Sequence, residues 1–153
     1  MNYLRLIFLL VSPLLATSCS TTSGGASQAA QIAQTNQNQL AANSFKPQAG
    51  MAGLYIFEEG SLIRADNSHR VFLDGQALGM VSSSSYLYSP LAPGKHTVSC
   101  ESSQVSLDVQ AGQNYFVREK THLDPSGQIL NTTLSIESSS VAIPLIKELQ
   151  TME

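Results

Sequence analysis

Apolar and polar positions divide the chain into three regimes. Met1–Arg5 is a polar start with a single positive side chain, Arg5, and it leads into the apolar run Leu6–Ala16. Between Ser20 and Lys46 apolar residues thin out, and 17 of these 27 residues are Ser, Thr, Gln, Asn or Gly. From Pro47 onward short apolar runs recur, cut by Gly, Pro, Asp and Ser, which is the signature of strands joined by turns.

The strand-like runs can be placed one by one. Leu54–Glu58 is rich in aromatic and β-branched residues and predicts the first strand, with Leu62–Arg64 continuing it after Gly60. Val71–Leu73 and Leu78–Val81 flank Asp74-Gly75, a dipeptide suited to the positive backbone angles of a tight hairpin. Tyr86–Tyr88 runs toward Pro90 and then Pro93-Gly94, which ends that segment. Val98–Cys100 follows. In Val105–Val109, residues Val105, Leu107 and Val109 face one way and Ser106, Asp108 and Gln110 the other, as in a sheet with one buried and one wet face. After Gly112 comes Tyr115–Lys120. Asp124-Pro125-Ser126-Gly127 has the residue preferences of a type I turn. A last strand places Leu130, Thr132, Leu134 and Ile136 on one inner face. Ser138-Ser139-Ser140 then reads as a helix start, with Val141–Leu149 as a short terminal helix in which Pro144 is tolerable only within the first turn. The fold class expected is all-β: an antiparallel β-sandwich of about seven to eight short strands over 47–153.

The two leading regimes predict something other than a globular domain. At eleven residues, Leu6–Ala16 is about half the twenty or so that a membrane-spanning helix needs, and with its charged lead it fits a secretory signal peptide over 1–18. The polar stretch buries too little to offset its ordering entropy, so 19–46 is expected to be a flexible linker with a reach of about 30 Å. Ala29, Ile32, Ala33 and Leu40 are loosely spaced for a helix, which leaves a transient or partner-induced helix open.

Composition narrows the classes. The 153 residues net −3, and only 12% are charged, against roughly 25% in soluble proteins. A mildly acidic chain without a basic run argues against nucleic acid as a main partner. With no Trp and 7% aromatics, an aromatic-lined platform for sugars or bases is not expected.

Ala16-Thr17-Ser18-Cys19 resembles the lipobox of bacterial lipoproteins, although Ala16 stands where that family prefers Leu. The resemblance implies that Cys19 carries lipid as the mature N-terminus, and Ser20, rather than Asp, after it implies an outer-membrane destination. Two or more acyl chains give durable anchoring where one does not. The alternative is an ordinary signal peptide cut near Ala16, leaving Cys19 as a thiol. Cys100 is the other cysteine, read as a buried apolar side chain in a strand or as a reactive thiol.

In order along the chain, Ala52-Gly53-Leu54-Tyr55-Ile56-Phe57, Val71-Phe72-Leu73-Asp74-Gly75, Ala92-Pro93-Gly94-Lys95-His96-Thr97-Val98 and Ala111-Gly112-Gln113-Asn114-Tyr115-Phe116-Val117-Arg118 resemble an uncharacterised family of small bacterial lipoproteins, known as a domain of unknown function. The middle portion is similar to the PEGA-type β-sandwich of envelope proteins. The likeness spans about Pro47–Glu137 and implies a scaffold, with no catalytic residue.

Chemistry-bearing motifs are scarce. His69, His96 and His122 read as exposed strand or turn residues, without the convergent spacing of a metal site. Neither a nucleophile elbow nor a Ser-x-x-Lys motif occurs, and Ser82–Ser85 reads as a loop. Glu58 and Glu59, as strand neighbours, point to opposite faces. Gly24-Gly25 lies in the linker and is not expected to open a helix. Two pairs are candidate binding surfaces: Tyr86 with Tyr88, against a core role, and Arg118 with Lys120, against a solvated face. The function expected is that of a non-enzymatic, lipid-anchored envelope module for binding or assembly, without cofactor or metal. Its partners are the membrane and an envelope protein or glycan. The alternatives are a structural accessory lipoprotein and a hydrolase, the latter requiring His122, Asp124 and a serine in one cleft.

Overall fold

The computed structural model describes residues 24–58, 68–83, 85–101, 103–126 and 128–150. Residues 1–18, expected to be a signal peptide, together with Cys19 and Leu62–Arg64, lie outside the described residues. The elements in chain order are α1 (Gly24–Ser44), β1 (Ala52–Glu58), β2 (Ser68–Leu73), β3 (Gln76–Ser82), β4 (Tyr86–Leu91), β5 (Gly94–Cys100), β6 (Ser103–Val109), β7 (Asn114–Leu123), β8 (Ile129–Glu137) and α2 (Ser139–Gln150). The strands form two four-stranded sheets, ordered β4-β1-β7-β8 and β3-β2-β5-β6. The chain folds as a β-sandwich whose first sheet carries the two helices on its outer face.

Burial follows residue chemistry. β1 is buried along its whole length, as expected for a central strand whose apolar run does not alternate. Leu54 and Ile56 point into the inter-sheet core with Val71, Val98, Leu107, Val117 and Leu134. Tyr55 and Phe57 point the other way, into a second core with Phe116, Ala42, Ala142 and Ile146. β6 alternates as its sequence predicts, with Leu107 and Val109 buried and Ser106 and Asp108 exposed. All pairings are antiparallel except β1 with β7, which run parallel with Tyr55 beside Phe116 and Glu58 beside Glu119. The Asp74-Gly75 hairpin forms as predicted, with φ of 51° and 79°. Pro90 lies inside β4, which is an edge strand, where a missing N–H is tolerated.

Four expectations are corrected. The described part of the 19–46 linker is a helix, α1, and Gly24 opens it. Ala and Gln are strong helix formers, and docking of the C-terminal end fixes what propensity alone leaves marginal. The docked residues are Ala41, Ala42 and Phe45, not Leu40, which is 70% exposed. In β8, Thr132 and Leu134 are buried, but Leu130 and Ile136, near the two ends of this edge strand, are exposed. Pro144 is the sixth residue of α2, beyond its first turn. There Ala142, Ile146 and Leu149 bury one helix stripe while Pro144 stays exposed, so packing holds the helix despite the lost hydrogen bond. His69, finally, is buried.

Candidate functional site

The C-terminal half of α1 leans over β4, and Tyr55 ties the two together. Its hydroxyl donates to the carbonyls of Ala41 (3.2 Å) and Ala42 (3.0 Å), which are among the orphan acceptors of a helix end. Phe45, just past the helix, adopts φ of 53° and stacks on Tyr55 with ring centroids 5.1 Å apart. Asn114 of β7 donates to the Phe45 carbonyl at 2.6 Å. Gly53 underlies this knot, because a Cβ there would collide with Asn114 and crowd Tyr88 and Tyr55.

Beside the knot is a groove of about 470 Å³ lined by Thr35, Asn38, Gln39, Ala42, Asn43, Tyr86 and Tyr88. Its size falls within the range of small-ligand sites. The α1 wall supplies hydroxyl and amide groups, and the β4 wall supplies two aromatic faces. Asn43 Oδ1 accepts from the Tyr86 hydroxyl at 3.3 Å, and Asn38 Oδ1 accepts from Gln48 at 2.7 Å. The Tyr88 hydroxyl oxygen is buried with no hydrogen-bond partner among the described residues, and desolvation raises its pKa. Burial raises that of Tyr55 further, with Tyr88 and Tyr86 adding to it.

The four residues named from the sequence share one face of the sheet. Tyr86 and Tyr88 sit opposite Phe57 and Tyr55, and Arg118 lies beside Phe57, all on the helix-bearing side. Tyr86 and Tyr88 both pack against the helix-side core and line the groove. Arg118 is half-buried and paired with Glu137 at 3.8 Å, while Lys120 is exposed. Neither basic residue lines the groove.

A second assembly escaped sequence reasoning. At one end of the inter-sheet core, His69 Nδ1 meets Glu101 Oε1 at 3.1 Å and Glu119 Oε1 at 3.8 Å, and its Nε2 lies 3.5 Å from the Thr121 hydroxyl. Thr121 donates to Glu58 at 3.0 Å. Glu119 is fully buried, and neither of its oxygens has a hydrogen-bond partner of standard geometry among the described residues. Desolvation pushes Glu119 up to about 7, against the pull of His69 and with repulsion from Glu58 and Glu101. Cys100 is buried beside it, its thiol pushed up to about 12 by burial and by the Glu119 and Glu101 carboxylates. A thiol so held is not a ready nucleophile. The signal was present in the alternation of β7, which puts Glu119 on the face shared by Tyr115 and Val117, but nothing local marks the strand that covers it.

His96 and Asp124 hold turns, and His122 bridges two strands. His96 Nδ1 meets Asp74 Oδ2 at 2.6 Å and its Nε2 meets the Ala92 carbonyl at 2.9 Å, so both ring nitrogens face acceptors and the His96 pKa is raised, chiefly by Asp74. His122 Nε2 faces the Thr133 hydroxyl at 3.1 Å, and Asp124 Oδ1 accepts from the backbone N–H groups of Ser126 and Gln128. Among the described residues, no group of three or more His, Cys, Asp or Glu side chains is placed to hold a metal ion. No described helix is long and apolar enough to cross a membrane.

Comparison with known proteins finds an uncharacterized protein of Haemophilus influenzae, 25% identical over 112 residues. The alignment covers 71% of this chain and 61% of that relative, so the chain spans about three fifths of the relative's length. A family model described as "Protein of unknown function (DUF2846)" matches residues 48–130. That span runs from just before β1 to the start of β8, and so contains Tyr86, Tyr88, Glu58, His69, Cys100 and Glu119 but not α1. With more than half of its length matched, the chain belongs to the DUF2846 family.

Proposed function

We propose that this protein is a non-catalytic binding module of the bacterial envelope, held to the membrane by lipid on Cys19 and binding a glycan in the groove between α1 and β4. The observation that carries the reading is the groove lining itself. Its side chains are hydroxyls, amides and two tyrosines, with no carboxylate, ammonium or guanidinium among them. A charged ligand would lose hydration there without gaining a counter-charge. A neutral, polyhydroxylated, N-acetylated sugar chain matches the lining instead, since amides pair with its hydroxyl and acetamido groups and a tyrosine ring covers its apolar face. The buried Tyr88 hydroxyl then acquires the partner it lacks. The lipobox-like Ala16–Cys19 and the short apolar run before it support the anchor, and the two-sheet body supports the likeness to PEGA-type envelope modules. With α1 helical and its C-terminal half docked on the sheet, the free part of the spacer within α1 is a helical segment of roughly 15 Å.

Tyr88→Phe separates binding from folding. Removing an unpartnered buried hydroxyl leaves stability unchanged or raised, while cosedimentation with purified peptidoglycan sacculi weakens about tenfold, the worth of one hydrogen bond. Equal retention of both proteins on sacculi contradicts the groove as the glycan site. Cys19→Ala moves the protein from the membrane to the soluble fraction, and unchanged fractionation contradicts the anchor.

A further inference from the structure

The Glu58–His69–Glu119 assembly lies away from the groove, in the other core of the molecule. Glu58 and Glu119 are in register on neighbouring parallel strands, so their side chains leave the sheet on the same face about one strand spacing apart. Opposite them stand His69 at the start of β2 and Cys100 at the end of β5, and Glu101 follows in a left-handed turn, φ 39°, that brings its carboxylate to His69. Among the described residues, the charged and titratable groups that face Glu119 are Glu58 from β1, His69 from β2, and Cys100 and Glu101 from the end of β5.

Hydrogen-bond bookkeeping makes Glu119 the weak point. Three of the four carboxylate oxygens of Glu58 and Glu119 have no donor within hydrogen-bond geometry among the described residues. The Nδ1 of His69 is closer to Glu101 than to Glu119, and its Nε2 faces Thr121. An ionised Glu119 therefore sits fully buried beside a second carboxylate, whereas a protonated one is neutral.

We propose that this cluster is a proton-operated latch between the two sheets. With Glu119 neutral, the ends of β1, β2, β5 and β7 stay clasped; with Glu119 ionised, that end of the sandwich loosens. The sign follows from the burial. Glu119 holds its proton more tightly when folded than when unfolded, so its contribution to stability is fully present at pH below about 4.5 and is lost as pH rises to about 7. The His96–Asp74 pair, with His96 raised and Asp74 lowered by their mutual hydrogen bond, is common to wild type and a Glu119 variant, so its contribution cancels in a comparison of the two.

The test is thermal unfolding of the full chain as a function of pH, wild type against Glu119→Gln. The expected result is that the wild-type midpoint falls by roughly 5–10 °C between pH 4.5 and 7 relative to the variant, which lacks the titrating group. Parallel curves for the two proteins overturn the latch. Should Glu119→Gln fail to fold, carbon-13 NMR of glutamate carboxyls in the wild type decides: one carboxyl titrating near neutrality supports the proposal, and all of them titrating below pH 5 overturns it.

Discussion

Tyr55 joins the helix to the sheet through a single atom. It is fully buried, its ring contacts Phe45, Phe116, Tyr86 and Tyr88, and its hydroxyl satisfies two carbonyls at the end of α1. Tyr55→Phe keeps the ring and removes the donor, leaving, among the described residues, the Ala42 carbonyl with only the Phe45 N–H and the Ala41 carbonyl with only the Ser44 hydroxyl, each at 3.4 Å. The expected cost is about 1–2 kcal/mol in chemical denaturation, with hydrogen exchange rising in the last turns of α1 before the strands. Equal protection in both proteins contradicts the stitching role. Residue-level chemistry was only partly legible in the sequence. The Asp74-Gly75 turn and the shared face of Tyr86 and Tyr88 follow from local rules, and both are present in the structure. His69 is buried because β2 lies over Glu119, a juxtaposition between residues fifty positions apart that no local pattern encodes.

At the level of elements, alternation and turn residues located β1 to β8, because each strand's burial pattern is written in its own side chains. The parallel pairing of β1 with β7 was not legible, since pairing partners depend on topology and not on either strand's own residues. Nor was α1 firmly so. Its own apolar content is slight, and its stability comes from Ala42, Phe45 and Tyr55, which only the fold brings together. α2 shows the same override, with Pro144 carried inside the helix by the buried stripe of Ala142, Ile146 and Leu149. Because Pro144 is exposed, Pro144→Ala restores a backbone donor without disturbing the core. It is expected to stabilise the protein by about 1–3 kcal/mol, read as a rise in thermal midpoint. A fall would mean that the proline sets the angle at which α2 meets the sheet.

At the scale of the molecule, the described residues form three layers: two helices, a sheet whose central strands are covered on both faces, and an outer sheet. This arrangement gives the protein two cores with different contents. The helix-side core is aromatic and opens into the amide-lined groove, while the inter-sheet core is aliphatic and ends in buried carboxylates. The groove needs α1 as well as the sandwich, so the family-matched segment alone holds only its β4 wall. The most direct measurement of the central claim is a titration of the isotope-labelled protein with N-acetylglucosamine oligosaccharides, followed by NMR of backbone amides and tyrosine rings. The account predicts shifts concentrated at Thr35–Asn43 and at Tyr86 and Tyr88, and weakened in Tyr88→Phe. Shifts confined to other surfaces, or none at millimolar sugar, would contradict it.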